Sequence, residues 1–138
     1  MSSYHRDVTD SLRAGAHDAF VKAGGSPDNV VAVPAPGAFE LPLLASAWLR
    51  RADIAAVVAI GCVVRGETRH DRYICDAVTA QLARLAVDVG KPVGYGLLTV
   101  ENMKQARERA GGKVGNKGAE AMDAVLAALH ELEEARAR

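Results

Sequence analysis

Residues that can do chemistry crowd into one short run of this chain. GCVVRGETRHDRY, Gly61 to Tyr73, brings Arg65, Glu67, Thr68, Arg69 and His70 together within six positions. An imidazole titrates at about 6.5 when unperturbed, so His70 can take up and release protons near neutrality. Gly66, Glu67 and Thr68 precede a predicted helix, where free backbone N–H groups and a hydroxyl can cradle a phosphate. Position alone does not separate a proton-transfer histidine from a solvated loop histidine. His5, His17 and His130 fall on predicted helices or near the terminus, where surface polarity is the better reading.

Three other places carry reactive types. In PGAFELP, Glu40 falls in the first turn of a helix, as a carboxylate favoured by the helix dipole or as an acceptor for substrate hydroxyls. Arg109 can clamp a phosphate bidentately or cap the end of its own helix. GGKVGNKG, Gly111 to Gly118, is not a nucleotide phosphate loop, which needs GxxxxGK followed by Ser or Thr. No GxGxxG is present either. Lys117 at a helix N-terminus can still attract an anion. Cys62 and Cys75 have neither CxxC spacing nor paired histidines, which argues against a zinc site and for two packed thiols.

The elements that must position these residues follow from hydrophobic periodicity. Val8, Leu12, Ala16, Ala19, Phe20 and Ala23 trace one helix, stopped by Gly24 and Gly25. A short strand is predicted over Val30 to Val33 and a helix from Phe39 to Arg51, with Pro42 tolerated only in its first turn. Ile54 to Val64 is apolar almost throughout, as suits a strand covered on both faces. A helix from Asp71 to Val89, a strand from Val93 to Leu98, a helix capped by Thr99 and running to Arg109, and a helix from about Asn116 complete the chain. Such alternation predicts an α/β fold, a parallel sheet with helices on both faces. The run from Gly61 then lies outside the carboxyl end of a strand, where open α/β sheets hold ligands.

The chain has 138 residues, enough for one domain spanning 1–138 with a core that needs no metal or disulfide. Its 17 basic and 17 acidic residues balance to a formal charge of zero. That excludes the electrostatic footprint of a nucleic-acid binder and favours self-association. No apolar run approaches the roughly 20 residues of a membrane helix. MSSYHRDVTD has no apolar signal core, so the expected compartment is the cytoplasm.

PGAFELP, GCVVRGETRH, PVGYGLLT and ERAGGKVGNKG occur in this order. Together they resemble 6,7-dimethyl-8-ribityllumazine synthases, over nearly the whole chain; SSYHRDVTDSLRAGA resembles the family's first helix and its approach. The resemblance implies a flavodoxin-like three-layer α/β/α subunit and no metal or organic cofactor. It implies a transferase of riboflavin biosynthesis that condenses 5-amino-6-(D-ribitylamino)uracil with 3,4-dihydroxy-2-butanone 4-phosphate. It also implies sites shared between subunits of a homo-oligomer, a pentamer or multiples of pentamers up to sixty-subunit icosahedral capsids, with riboflavin synthase as a candidate partner. Tyr4 matches the position that stacks on the pyrimidine, Ala38, Phe39 and Glu40 the segment holding the ribityl chain, and Val63 and Val64 the backbone reading the pyrimidine edge. Glu67 and Thr68 match the phosphate turn, and His70 the proton-transfer histidine. From a neighbouring subunit, Tyr95 matches a pocket wall, Arg109 the phosphate arginine, Lys117 a lysine near the substrate, and Glu120 an acid that orients the histidine.

Two departures accompany the match. Arg69 and Asp71 stand where the family usually has proline and phenylalanine around the histidine. The family's first strand, inside the sheet, has no counterpart: only Met1 to Tyr4 precede the first helix. Either chain lies upstream or another segment fills that place. The other function classes are a non-catalytic, lumazine- or flavin-binding shell protein and a phosphosugar-binding module.

Overall fold

A computed structural model describes all residues, 1–138. Helix α1, Arg6–Lys22, buries the stripe Val8, Leu12 and Ala16. It ends where Gly24 adopts a positive φ of 95° and the Gly25 N–H returns to the Phe20 carbonyl. After a 3-10 turn at Pro27–Asn29 and an extended run, α2 spans Leu41–Leu49, with Pro42 in its first turn as expected. Strand β1, Val57–Val64, leads through the Arg65–Arg69 loop into α3, His70–Val89. Gly90, at φ 68°, closes α3. Strand β2 is Val93–Val100 and α4 is Met103–Arg109. A small antiparallel hairpin, β3 (Ala110–Gly112) and β4 (Gly115–Asn116), precedes α5, Lys117–Ala137.

The sheet is parallel, as the alternation of elements predicts. β1 and β2 pair in register from Val57↔Val93 to Val64↔Val100. Because side chains alternate across a strand, the two faces have separate cores. On one face Ala59 and Leu97 meet α2 and α3 through Leu41, Leu49, Val78 and Leu82. On the other, Ile60, Cys62, Leu98 and Val100 meet Val8 and Leu12 of α1 and Ala106 of α4. Helices therefore cover both sheet faces, the three-layer α/β/α architecture expected of a flavodoxin-like subunit.

Three local expectations are corrected. Val30 to Val33 is extended but pairs as no strand; the ladder there is a single parallel bridge, Ser2↔Ala35. Thr99 is not a cap. It lies inside β2 and its hydroxyl donates to Cys75 Sγ at 3.2 Å. Asn102 caps α4 instead, accepting from the Gln105 N–H at 3.0 Å. The glycine-rich stretch before Lys117 forms the β3–β4 hairpin rather than a plain loop.

Met1 to Ser3 enters the sheet between the Val33–Ala35 run and β1. The Met1 amine donates to the Val33 carbonyl at 2.7 Å, and the Ser3 N–H to the Ala35 carbonyl at 2.8 Å. On the other side the Ser2 N–H donates to Ile60 at 2.8 Å. At Gly61 the crowding comes from the sheet's own core: a Cβ there would sit 2.7 Å from Leu97 Cδ1, while Ser2 Cβ would be at an ordinary contact distance of 3.5 Å. Beyond Met1, a cavity of about 900 Å3 separates Val30–Val33 from the amino half of β1.

Candidate functional site

His70 is the first residue of α3, directly past the β1 carboxyl end, and its side chain is exposed. Phe39, from the turn before α2, and Tyr73 and Ile74, from the first turns of α3, join His70 around an open pocket of about 390 Å3. The imidazole makes no hydrogen bond or ion pair within the chain, so both ring nitrogens face the pocket side or solvent. Val63 and Val64 form the half-buried end of β1, and Glu67 and Thr68 are exposed in the loop that follows. Thr68 precedes an α3 N-terminus whose orphan N–H groups favour an anion.

Tyr4 and Glu40 come together over Gly37. A Cβ at Gly37 would lie 3.1 Å from Glu40 Oε2 and 3.5 Å from Tyr4 Cε2. Ala38 is buried under this turn while Phe39 stands out from it. At the same strand ends, Arg65 Nη1 donates to Glu101 Oε2 at 2.9 Å. The ion pair bridges the exits of β1 and β2.

The other sequence-derived residues form a second group. The Tyr95 hydroxyl contacts Thr79 Oγ1 at 2.8 Å, far from the strand exits in register terms: Tyr95 pairs with Ala59, whereas Val63 pairs with Thr99. Arg109 donates to the Gln105 carbonyl at 3.3 Å, so within the subunit it does act on the end of α4. Lys117 Nζ pairs with Glu120 Oε2 at 2.6 Å. In this chain Glu120 is therefore bonded to Lys117 and not to His70. No hydrogen bond or ion pair joins Tyr95, Arg109, Lys117 or Glu120 to Tyr4, Glu40, Glu67, Thr68 or His70.

Burial pushes the Cys62 thiol up to about 11 and raises that of Cys75 more modestly. Raised thiols are poor nucleophiles, so neither cysteine is a candidate for covalent chemistry. No three His, Cys, Asp or Glu side chains converge as a metal site would need. No helix is long and apolar enough to cross a membrane.

Residues 1–133 match the family described as 6,7-dimethyl-8-ribityllumazine synthase. The chain belongs to the lumazine synthase family. A 6,7-dimethyl-8-ribityllumazine synthase of Porphyromonas gingivalis is 46% identical over 121 residues, covering 88% of this chain and 75% of the relative. One from Campylobacter curvus is 43% identical over 127 residues, 92% of this chain and 81% of the relative. One from Thermus thermophilus is 42% identical over 130 residues, 94% and 83%. The lumazine synthase match spans both groups of site residues.

Residue types alone did not point to Tyr73 and Ile74 as pocket walls, nor to Thr79 as the partner of Tyr95. Spacing carries the first signal. On a helix starting at His70, positions three and four residues on lie beside the imidazole.

Proposed function

We propose that this chain catalyses the condensation of 5-amino-6-(D-ribitylamino)uracil with 3,4-dihydroxy-2-butanone 4-phosphate, giving 6,7-dimethyl-8-ribityllumazine, phosphate and water. The observation that carries this is the match to the family over residues 1–133, with His70 opening α3 at the carboxyl end of β1 beside an aromatic-walled pocket. We assign Tyr4 to stacking on the pyrimidine, the Ala38–Glu40 turn to the ribityl chain, and the Val63–Val64 backbone to the pyrimidine edge. Glu67, Thr68 and the α3 N-terminus hold the phosphate. His70 moves protons during Schiff-base formation, phosphate elimination and ring closure. These steps ask for a base near neutrality and no cofactor.

The second group, Tyr95, Arg109, Lys117 and Glu120, serves the site of a neighbouring copy. Its lack of any bond to the first group within the subunit supports that reading. The 1–138 chain then acts as one domain of a homo-oligomer, a pentamer or a multiple of pentamers up to a sixty-subunit capsid, in the cytoplasm, able to pass its product to riboflavin synthase. In the shared site Arg109 fixes the phosphate and so the reactive carbon, and stabilises the departing anion. Lys117 lies near the substrate and Glu120 orients the imidazole.

Mixing the two substrates with the protein and following the lumazine chromophore tests the reaction. Turnover is expected. Binding of added product with no product formation would sink it and leave the non-catalytic shell protein. That alternative is not favoured, since the relatives above all carry the synthase name.

A further inference from the structure

The ion pair at the strand exits opens a chain of hydrogen bonds that ends at Arg109. Arg65 Nη1 donates to Glu101 Oε2 at 2.9 Å, beside the last rung of the sheet, where the Arg65 N–H meets the Val100 carbonyl at 2.8 Å. The Glu101 N–H donates to Gln105 Oε1 at 2.9 Å. The Gln105 N–H donates to Asn102 Oδ1 at 3.0 Å. The Gln105 carbonyl accepts from Arg109 Nη1 at 3.3 Å.

α4 depends on such anchors. It has seven residues and fully buries only Ala106. A helix that short does not hold itself together in water. Asn102 and Gln105 close its first turn, which fixes its shape but not its place on the sheet. Of the side-chain contacts made by Glu101, Asn102 and Gln105, only the one to Arg65 leaves the 101–109 segment. At the other end of α4, Arg107 reaches Asp7 of α1 by a longer contact of 3.4 Å.

We propose that Glu101 is a positioning residue: through Arg65 it fixes α4 on the carboxyl end of β1, and so sets where Arg109 meets the phosphate held by a neighbouring copy. The proposal rests on the assignment of Arg109 to phosphate given above. The two side chains of the pair are 64% and 59% exposed. An exposed pair adds little to stability. Its removal therefore separates placement from folding, because phosphate recognition suffers while the fold persists.

Steady-state kinetics of the full chain test it. Glu101→Ala should raise KM for the phosphate substrate about fivefold, the full worth of an exposed ion pair. KM for the pyrimidine substrate should hold, and Tm should fall by no more than roughly 4 °C. Glu101→Gln keeps an oxygen for Arg65 and should raise the phosphate KM less. In an Arg109→Ala background Glu101→Ala should add nothing, since it acts through Arg109. An unchanged phosphate KM in Glu101→Ala would overturn the proposal. So would the full rise on top of Arg109→Ala, or a parallel rise in both KM values. If the unmodified chain forms no lumazine, it is the proposed reaction that fails, and inorganic phosphate then tests Glu101. Calorimetric titration should show about fivefold weaker phosphate binding in Glu101→Ala. Equal binding in the two proteins, or none in the unmodified chain, would overturn the proposal.

Discussion

At the scale of single residues, His70 and Arg109 divide the proposed chemistry between proton transfer and phosphate binding, and their variants should fail differently. His70→Ala should slow turnover by no more than the ~10²–10⁴-fold typical of acid–base groups, because positioning survives its loss. Arg109→Ala should chiefly raise KM for the phosphate substrate. An unchanged KM in steady-state assays would remove Arg109 from the phosphate site. Type and position marked both only as candidates, beside a solvated loop histidine and a helix-capping arginine; the resemblance to the family supplied their roles. Within the subunit Arg109 touches its own helix end, and Glu120 is held by Lys117. The wall made by Tyr73 was hidden because a tyrosine at that position reads equally as helix surface. The cysteines give a pH prediction. Cys62 titrates at about 11 when folded, against an ordinary value of 9.0. Its contribution to stability is complete below pH 9 and declines as pH rises from 9 through 11, since only the unfolded thiol ionises there. Denaturation midpoints should fall over that window, and less steeply in Cys62→Ala. At pH 8 a thiol reagent should label Cys62 only after unfolding.

Among the elements, those with a strong period were readable and those that depend on a partner were not. α1, α3 and α5 announce themselves by spaced apolar residues and by Gly90 and Asn116 at their ends. Val30 to Val33 has the composition of a strand, yet a strand is defined by its neighbour, and the neighbour position holds only Met1 to Ser3. Thr99 looked like a cap because threonine suits both a helix start and a strand interior. Its Cys75 contact is tertiary and leaves no local trace. Some caps come from far away. Lys91 Nζ donates to the carbonyls of Leu49, Arg51 and Ile54 at 3.1, 2.7 and 2.7 Å, tying the exit of α2 to the start of β2. Lys91→Met keeps the aliphatic stem and strands three acceptors. It should destabilise the fold by about 2 kcal/mol, given ~1.5–3 kcal/mol for a hydrogen bond to a charged group and partial rescue by water. Urea denaturation reads this directly.

For the molecule as a whole, the contact that joins its first and last helices leaves no room for a side chain. Gly118, in the first turn of α5, lies against the Leu12 carbonyl of α1, where any added methyl would collide with backbone. The Asn116 side chain binds the Ser11 carbonyl at 2.9 Å alongside it. Gly118→Ala should therefore cost about 3 kcal/mol or more and lower Tm by roughly 10 °C, as overpacking against backbone cannot relax. A loss below 1 kcal/mol in thermal denaturation would show that α1 and α5 can part cheaply. The α/β class was legible from alternation alone, but this end-to-end closure was not, because nothing local tells one helix which other helix it will meet.

That closure sets a timetable during synthesis. α1 leaves the ribosome early, yet its principal helical partner, α5, begins only at Lys117. Nearly a hundred residues must be translated in between, roughly 5–20 s at ~5–20 residues per second. Throughout that interval the side of α1 around Ser11, Leu12 and Gly15, which meets Asn116 and Gly118, has no lid. A nascent chain stalled before Lys117 is the form in which this protein would be most sticky, and the form a chaperone should hold longest.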